Sequence, residues 1–331
     1  MLRQTIKFAL RSFRKSKLIH GLNILGLTLG LSVFFLASLY IYQENSYERD
    51  FSDGDRLYQI SSVIPGIGDF AFTTPNLGSI VDEVPEIEEL TIFSMPAKSG
   101  WKNDAEESLD LVRISADEHF LNIFDFEVLV GDQEQPISEP TDAAIFVSAA
   151  LKVFGTTDVI GKRLNQGNAY VQIVALLADP QYKTQLKSDL ITFKDPLKEF
   201  KAENWNSNIH IVYAKTEKNI SKAQLTETLE RLSYDYIKPV VLAASPEELT
   251  IEAWAKSPQY KGFKAESLND LRIASETIMS IMPKANAKQS NAMILVGLAS
   301  LLISVINFIN LFTAKASVRH KEVGVKRILG S

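Results

Sequence analysis

Residues 21–42, GLNILGLTLGLSVFFLASLYIY, and residues 293–312, MILVGLASLLISVINFINLF, decide how this chain is organised. Each lies within 26 residues free of Asp, Glu, Lys and Arg, the first bounded by Lys17 and Glu44, the second by Lys288 and Lys315. A hydrocarbon core about 30 Å thick is crossed by roughly 20 helical residues at ~1.5 Å each, so both stretches can span a bilayer. A cleavable signal has an apolar segment of only ~7–15 residues and a small-residue cleavage site. The first stretch instead runs straight into Tyr40, Tyr42, Gln43 and Glu44.

The flanking charges orient the two spans. Residues 1–17 carry Arg3, Lys7, Arg11, Arg14, Lys15 and Lys17 with no acid, and residues 315–331 carry Lys315, Arg319, Lys321, Lys326 and Arg327 against Glu322 alone. Basic flanks stay in the cytosol. Two crossings also return the chain to the side it started from, so the charge rule and the crossing count agree. The expected organisation is a cytosolic amphipathic basic helix over 1–18, with Leu2, Ile6, Ala9, Leu10 and Phe13 toward the lipid of the inner leaflet. A transmembrane helix over 19–43, an extracytoplasmic domain over 44–288, a second transmembrane helix over 289–314 and a cytosolic element over 315–331 follow, in the inner (plasma) membrane.

The net charge of −5 hides an asymmetry: residues 44–290 hold 24 basic and 39 acidic side chains, a net −15. That argues against nucleic acid as a partner. Cysteine is absent, which excludes thiol catalysis and cysteine-ligated metal, and a domain of this size buries a sufficient core without disulfides. Its strand candidates are 57–63, 111–115, 144–147, 170–177, 189–193 and 209–214, each rich in Val, Ile, Tyr or Phe. Ser221 with Gln224, and Ser245 with Pro246 and Glu248, are capping signatures that open helices. The mixture predicts an α+β domain, with two lobes breaking near Pro136–Pro140.

Within the spans, Gly26 and Gly30 form a G-x-x-x-G pair that lets another helix approach closely. Ser300, Ser304, Asn307 and Asn310 need hydrogen-bond partners in lipid, which points to helix packing, with an intramembrane transport site as the alternative. Candidates for chemistry are few. His20, His119, His210 and His320 are scattered and read as surface or packing residues. The segment GTTDVIGKR (155–163) approaches a phosphate-binding loop, but five residues separate its glycines instead of four, and Arg163 stands where Ser or Thr would hold magnesium. Gly155 reads instead as the end of a short helix around 149–153, and Gly161 as a turn. No catalytic, cofactor or metal site is expected, and the chain is not read as an enzyme.

Several stretches together resemble the permease subunits of the MacB and FtsX family of ABC transporters. They are NILGLTLGLSVFFLASLYIYQE (23–44), SYERDF (46–51), DRLYQI (55–60) and NFINLFTAKASVRHKEVGVKRILGS (307–331), and between them FLNIFDFEVLVGD (120–132), FVSAALKVFG (146–155) and VIGKRL (159–164), where Val159 replaces an expected proline. The resemblance implies a MacB-like periplasmic core domain and a separate cytosolic, MacB-like ATPase whose motion reaches the domain through the membrane helices to export or extract a substrate. It implies that Arg319, Lys321, Glu322, Val323, Gly324, Val325, Lys326, Arg327 and Leu329 form a coupling helix on that ATPase. It also implies a permease homodimer or a second permease half, and is compatible with a periplasmic or outer-membrane partner. Family units have four membrane helices, and this chain stops at Ser331 within the coupling motif, so a truncated permease is expected. Two other classes share the topology. A polysaccharide chain-length regulator shows coiled-coil heptads and a proline-rich second span, whereas here only Pro283 precedes that span. A sensory protein needs a larger cytosolic output module than residues 315–331 provide.

Overall fold

The computed structural model of the chain describes residues 17–44, 51–103, 105–181, 184, 186–199, 205, 207–243, 249–271, 277–279 and 287–328, the side chains within 17–23 (Gly21 apart), 287–290, 311–312 and 314–328 and those of Glu44 and Glu199 excepted. The helices are α1 (Lys17–Glu44), α2 (Phe120–Ile123), α3 (Val147–Phe154), α4 (Pro196–Glu199), α5 (Lys222–Leu232), α6 (Lys238–Val241), α7 (Ile251–Ala255) and α8 (Ala287–Ile328). The strands are β1 (Leu57–Ile64), β2 (Gly68–Phe70), β3 (Ile87–Phe93), β4 (Ala97–Lys102), β5 (Ser108–Ala116), β6 (Val128–Val130), β7 (Asp142–Phe146), β8 (Arg163–Gln166), β9 (Ala169–Leu177), β10 (Leu190–Phe193), β11 (Ile211–Thr216) and β12 (Gly262–Ser267). Two compact units result: residues 1–45 with 285–331, and residues 46–284.

The first unit is the antiparallel pair of long helices. Apolar windows long enough to cross a membrane cover Ile24–Gln43 of α1 and Asn291–Asn310 of α8, and only 11% of each window is buried. A helix that is apolar all round and mostly uncovered needs lipid or further helices around it.

In the second unit all twelve strands belong to one hydrogen-bonded network. β3, β11, β1 and β12 form an open antiparallel sheet, with β2 folded back on β1. β5, β10, β7, β9, β8 and β4 close into a ring, with β10 parallel to β5, β7 parallel to β9, and the remaining neighbours antiparallel. Sheet and ring meet where Phe93 of β3 pairs with Ala116 of β5.

The period of two along a strand sends alternate side chains to opposite faces, and both faces of the open sheet are buried. Tyr58 and Ile60 of β1, with Val212 and Ala214 of β11, enter a core covered by Leu225, Leu229 and Leu232 of α5 and by Trp254 of α7. Leu57, Ile211, Tyr213 and Phe93 face the other way, into a core shared with the ring. A third core fills the ring itself with Trp101, Leu111, Leu190, Ile145, Ile173 and Leu164, one from each of its six strands, and Ala149, Ala150 and Val153 of α3 pack against it. Along β9 the faces switch: Val171 and Ile173 point into the ring, whereas Ala175 and Leu177 point to the shared core. A register shift opposite Ala143/Ala144 leaves Val174 as the extra residue that causes the switch. Gly131, at φ 124°, sits against this bulge, where a Cβ would lie 2.9 Å from the Val174 carbonyl oxygen.

Each of the six expected strands is present, although Val147 starts α3 instead of ending β7. Ser221 opens α5 as expected: its Oγ accepts the Gln224 N–H at 3.3 Å, and Gln224 Oε1 accepts the Ser221 N–H at 2.9 Å. Gly155 ends α3 at φ 68° and Gly161 turns at φ 84°. The second expected capping box, Ser245–Glu248, and residues 1–16 of the expected amphipathic helix lie outside the described residues. The expected lobe break at Pro136–Pro140 is corrected. Ile137 is fully buried, and the strands on either side of it, β5 and β7, both pair with β10. The lobes interleave instead, with the chain leaving the open sheet after β3, building the ring from β4 to β10, and returning with β11 and β12.

The shared core is aromatic. The ring of Phe124 lies 5.1 Å from Phe120, 5.3 Å from Tyr213, 5.7 Å from Phe51 and 5.9 Å from Phe93, centroid to centroid. Phe124→Ala is expected to cost about 3–5 kcal/mol in chemical denaturation of the detergent-solubilised chain, whereas Leu129→Ala, at an exposed position, should stay within about 0.5 kcal/mol.

Candidate functional site

The two apolar helices meet through small residues. A methyl group at Gly26 would lie 2.7 Å from Nδ2 of Asn307, and one at Gly30 would overlap the Ser304 hydroxyl. Ser304 Oγ is 2.8 Å from the Ser300 carbonyl in its own helix and 3.3 Å from the Gly26 carbonyl across the interface. At Gly297 an added Cβ would stand 3.1 Å from Cβ of Ala37. Lipid tails are as apolar as leucine, so close backbone approach and such hydrogen bonds replace the hydrophobic drive that packs helices in water. Asn307 is half-buried in this contact, whereas Asn310 is exposed outside it. α8 continues without a break from its apolar window to Ile328, so the expected coupling residues Arg319–Arg327 lie on the same helix as the span. Leu329 is outside the described residues.

In the domain, the segment arriving from α1 is locked at the start of β1. Phe51 is buried against Phe124, and Asp125, held at φ 48°, accepts the Ser52 N–H at 3.1 Å and also the Ser52 hydroxyl. Arg56 pairs with Asp53 at 3.1 Å and with Glu88, and its Nε donates to the Thr216 carbonyl at 2.9 Å. Lys215 closes the network with Asp53 at 2.6 Å. Burial works against the Arg56 charge, but Glu88 and Asp53 outweigh it and raise its pKa; the Lys215 ammonium, above all, holds the Asp53 carboxyl below its ordinary value.

The segment leaving toward α8 is held as well. Ile278 donates its N–H to the Asp69 carbonyl at 2.7 Å and accepts the Ala71 N–H at 3.0 Å, in parallel with β2. The Thr277 hydroxyl donates to Glu266, which Lys264 also reaches at 3.3 Å. Because β2 runs antiparallel to β1, the outgoing segment heads toward the end of β1 at which the chain arrived.

A third cluster sits where sheet and ring meet. The Asp117 carboxylate accepts the Ile92 N–H at 2.6 Å, the Thr91 hydroxyl at 2.7 Å and the His119 N–H at 3.2 Å, bridging β3 to the turn before α2. Burial nevertheless pushes its pKa up to about 6. His119 Nδ1 lies 2.9 Å from Glu89, and this hydrogen bond, more than the nearby Asp117 and Glu118 charges, raises the imidazole pKa. His119 is thus a partly exposed packing histidine whose partner, Glu89, lies far from it in the chain. Among the described residues no cluster of His, Asp and Glu suits a metal ion. A cavity of about 390 Å³ beside the ring contains Asp179 and Asp189, but both are occupied structurally: Asp179 accepts the Ser148 N–H at 3.0 Å, and Asp189 the Val112 N–H at 2.7 Å.

Of the residues the sequence reading singled out for helix packing, Gly26, Gly30 and Asn307 share the contact and Asn310 does not. It missed the Asp53–Arg56–Glu88–Lys215 network and the Asp117–His119 cluster. Arg56 lies within a quoted motif, but Glu88 and Lys215 are far from it in the chain, and no local pattern joins them.

These features define an α+β extracytoplasmic-type domain set between two membrane-crossing helices. The sequence profile of the MacB-like periplasmic core domain matches residues 21–232, more than half of the chain, and the chain belongs to that family. Among solved structures, a domain of a protein assigned as a permease from Porphyromonas gingivalis gives a TM-score of 0.52 at 18% identity, over 74% of this chain and 99% of that one. The periplasmic region of MacB from Actinobacillus actinomycetemcomitans gives 0.41 at 12% identity, over 55% and 85%. The extracellular domain of YknZ, a noncanonic ABC-type transporter from Gram-positive bacteria, gives 0.40 at 16%, over 54% and 92%. Comparison with curated proteins gives no match. The chain is a membrane protein with an extracytoplasmic segment.

The absence of native cysteine makes the helix contact directly testable. Ala37→Cys with Gly297→Cys is expected to form an intramolecular disulfide on mild oxidation, and adding Gly30→Leu should lower its yield roughly tenfold, read on non-reducing gels. The junction cluster predicts a pH dependence. Asp117 has a folded pKa of about 6 against an ordinary 3.8, so the folded state retains a proton that the unfolded chain releases, and stability is lost as pH rises from about 4 to 6. The raised His119 pKa acts in the same sense at higher pH: its contribution is full below 6.5 and is lost as pH rises through the higher folded value. In thermal unfolding at stepped pH, Asp117→Asn should flatten the lower limb and His119→Gln the upper one.

Proposed function

We propose that this chain acts as a permease subunit of an ABC-type transporter of the MacB and FtsX kind, relaying the motion of a separate cytosolic ATPase to residues 46–284 outside the cell. The observation that carries this reading is the locking of both the incoming segment, at Asp53 and Arg56, and the outgoing segment, at Thr277 and Ile278, onto β1 and its partners. A displacement of a connecting segment is passed on only if that segment ends in a stiff element, and close-packed interiors have low compressibility. The basic flanks put both termini in the cytosol of a cell with this protein in its plasma membrane. The basic end of α8, from Arg319 to Arg327, is the docking element for the ATPase. The chain hydrolyses no ATP itself, pairs with a second permease copy or half, and serves the export or extraction of a substrate from the outer side of the bilayer.

Substitutions in the tail test this. With the cognate ATPase co-expressed and ATP present, Glu322→Ala combined with Gly324→Trp is expected to reduce co-purification of the ATPase at least roughly tenfold while leaving membrane insertion intact. Undiminished association would remove the docking role and with it the proposed relay.

A further inference from the structure

A groove of about 870 Å³ lies between α5 and α7, walled also by the turn at Pro85 and Glu86. Part of its lining is apolar, with Ile220, Ala255 and Ile251, the last 41% exposed to solvent. The charged lining is unbalanced: Glu86, Glu227, Glu230 and Glu252 face Arg231 and Lys256, and Lys256 is already paired with Glu252 at 2.5 Å.

We propose that the groove receives a cationic amphipathic helix of a partner polypeptide. Its apolar face lies on Ile220, Ile251 and Ala255, and its Lys or Arg side chains meet Glu86, Glu227 and Glu230. The shape favours a helix, because the groove runs between two helices and Gln224, Glu227, Thr228 and Arg231 line it at the i, i+3, i+4, i+7 spacing of one helical face. The 11 residues of α5 offer a wall roughly 16 Å long, about three turns of such a partner. Charge complementarity fixes its sign, since the excess of carboxylates in the groove adds to the net −15 of residues 44–290 and the summed field steers cations toward the domain. α5 is a firm wall, capped by Ser221 and anchored by Leu225, Leu229 and Leu232. The proposal stands apart from the transporter reading, because it needs only the domain.

The test uses the full chain in neutral detergent and a fluorescein-labelled Leu/Lys peptide about four turns long, designed as an amphipathic helix, followed by fluorescence anisotropy. The expected result is saturable binding that Glu227→Lys with Glu230→Lys weakens at least tenfold and Ile251→Asp weakens comparably. The charge-matched pair Glu127→Lys with Asp158→Lys, at exposed positions of the ring lobe, should change it less than twofold. Equal weakening by the two charge-reversed pairs would show long-range attraction without a site and overturn the proposal. So would equal binding of a scrambled peptide of the same composition, or no binding at all. Unchanged thermal unfolding of each variant guards against reading misfolding as lost affinity.

Discussion

The open sheet β3–β11–β1–β12 has no face it can leave to water, and the rest of the domain follows from covering both. One face carries Tyr58, Ile60, Val212 and Ala214 and is closed by α5 and α7; the other carries Leu57, Ile211, Tyr213 and Phe93 and is closed by the ring. Burying apolar area at about 25 cal/mol per Å² on both sides anchors β1 and β11 from two cores at once. The segment FLNIFDF inserts Phe120, Phe124 and Phe126 into the gap between sheet and ring, where edge-to-face and offset contacts add to simple burial.

Both chain connections toward the membrane helices are fastened to this doubly buried sheet by polar contacts. Asp53, Arg56, Glu88 and Lys215 hold one, and Asp69, Glu266 and Lys264 hold the other. Partly exposed ion pairs contribute little stability singly, and their value here lies in fixing direction: Arg56 ties the start of β1 to both Glu88 and the Thr216 carbonyl. The helix pair is built on the opposite principle. Gly26, Gly30 and Ser304 give close approach, and Ser304 gives a hydrogen bond across the interface, contacts of modest strength singly.

Much of this was legible along the chain. The spans stood out because each is a run of about 20 predominantly apolar residues without a formal charge, and the Ser221–Gln224 capping box because its chemistry is local. The six strands rich in Val, Ile, Tyr and Phe were visible for the same reason. β4, with Gly100 and two lysines, and β12, with Lys264 and the buried Glu266, were not, nor was β3, whose Glu88 and Glu89 interrupt its apolar pattern, since such strands are stabilised by their neighbours more than by propensity. The Pro136–Pro140 stretch looked like a linker because proline and acidic residues mark turns, yet Ile137 turns inward to fill the shared core. Asp117 and His119 gave no signal, because their partners Thr91, Ile92 and Glu89 lie on β3, some 25 to 30 residues away.

The sequence by itself determined that the chain crosses a membrane twice, that an acidic α+β domain lies between the crossings, and which small and polar residues could bring two helices together. Those properties depend on hydrophobic length, charge balance and local hydrogen-bonding chemistry, all of which are written within a few residues of one another. Only the tertiary structure decided that the strands close into a ring beside an open sheet, that the face of β9 switches at Val174, and that Arg56 meets Glu88 and Lys215. These depend on pairing register and on contacts such as that of Arg56 with Thr216, 160 positions away, which no local pattern encodes and which are set by the requirement that every buried face find a partner.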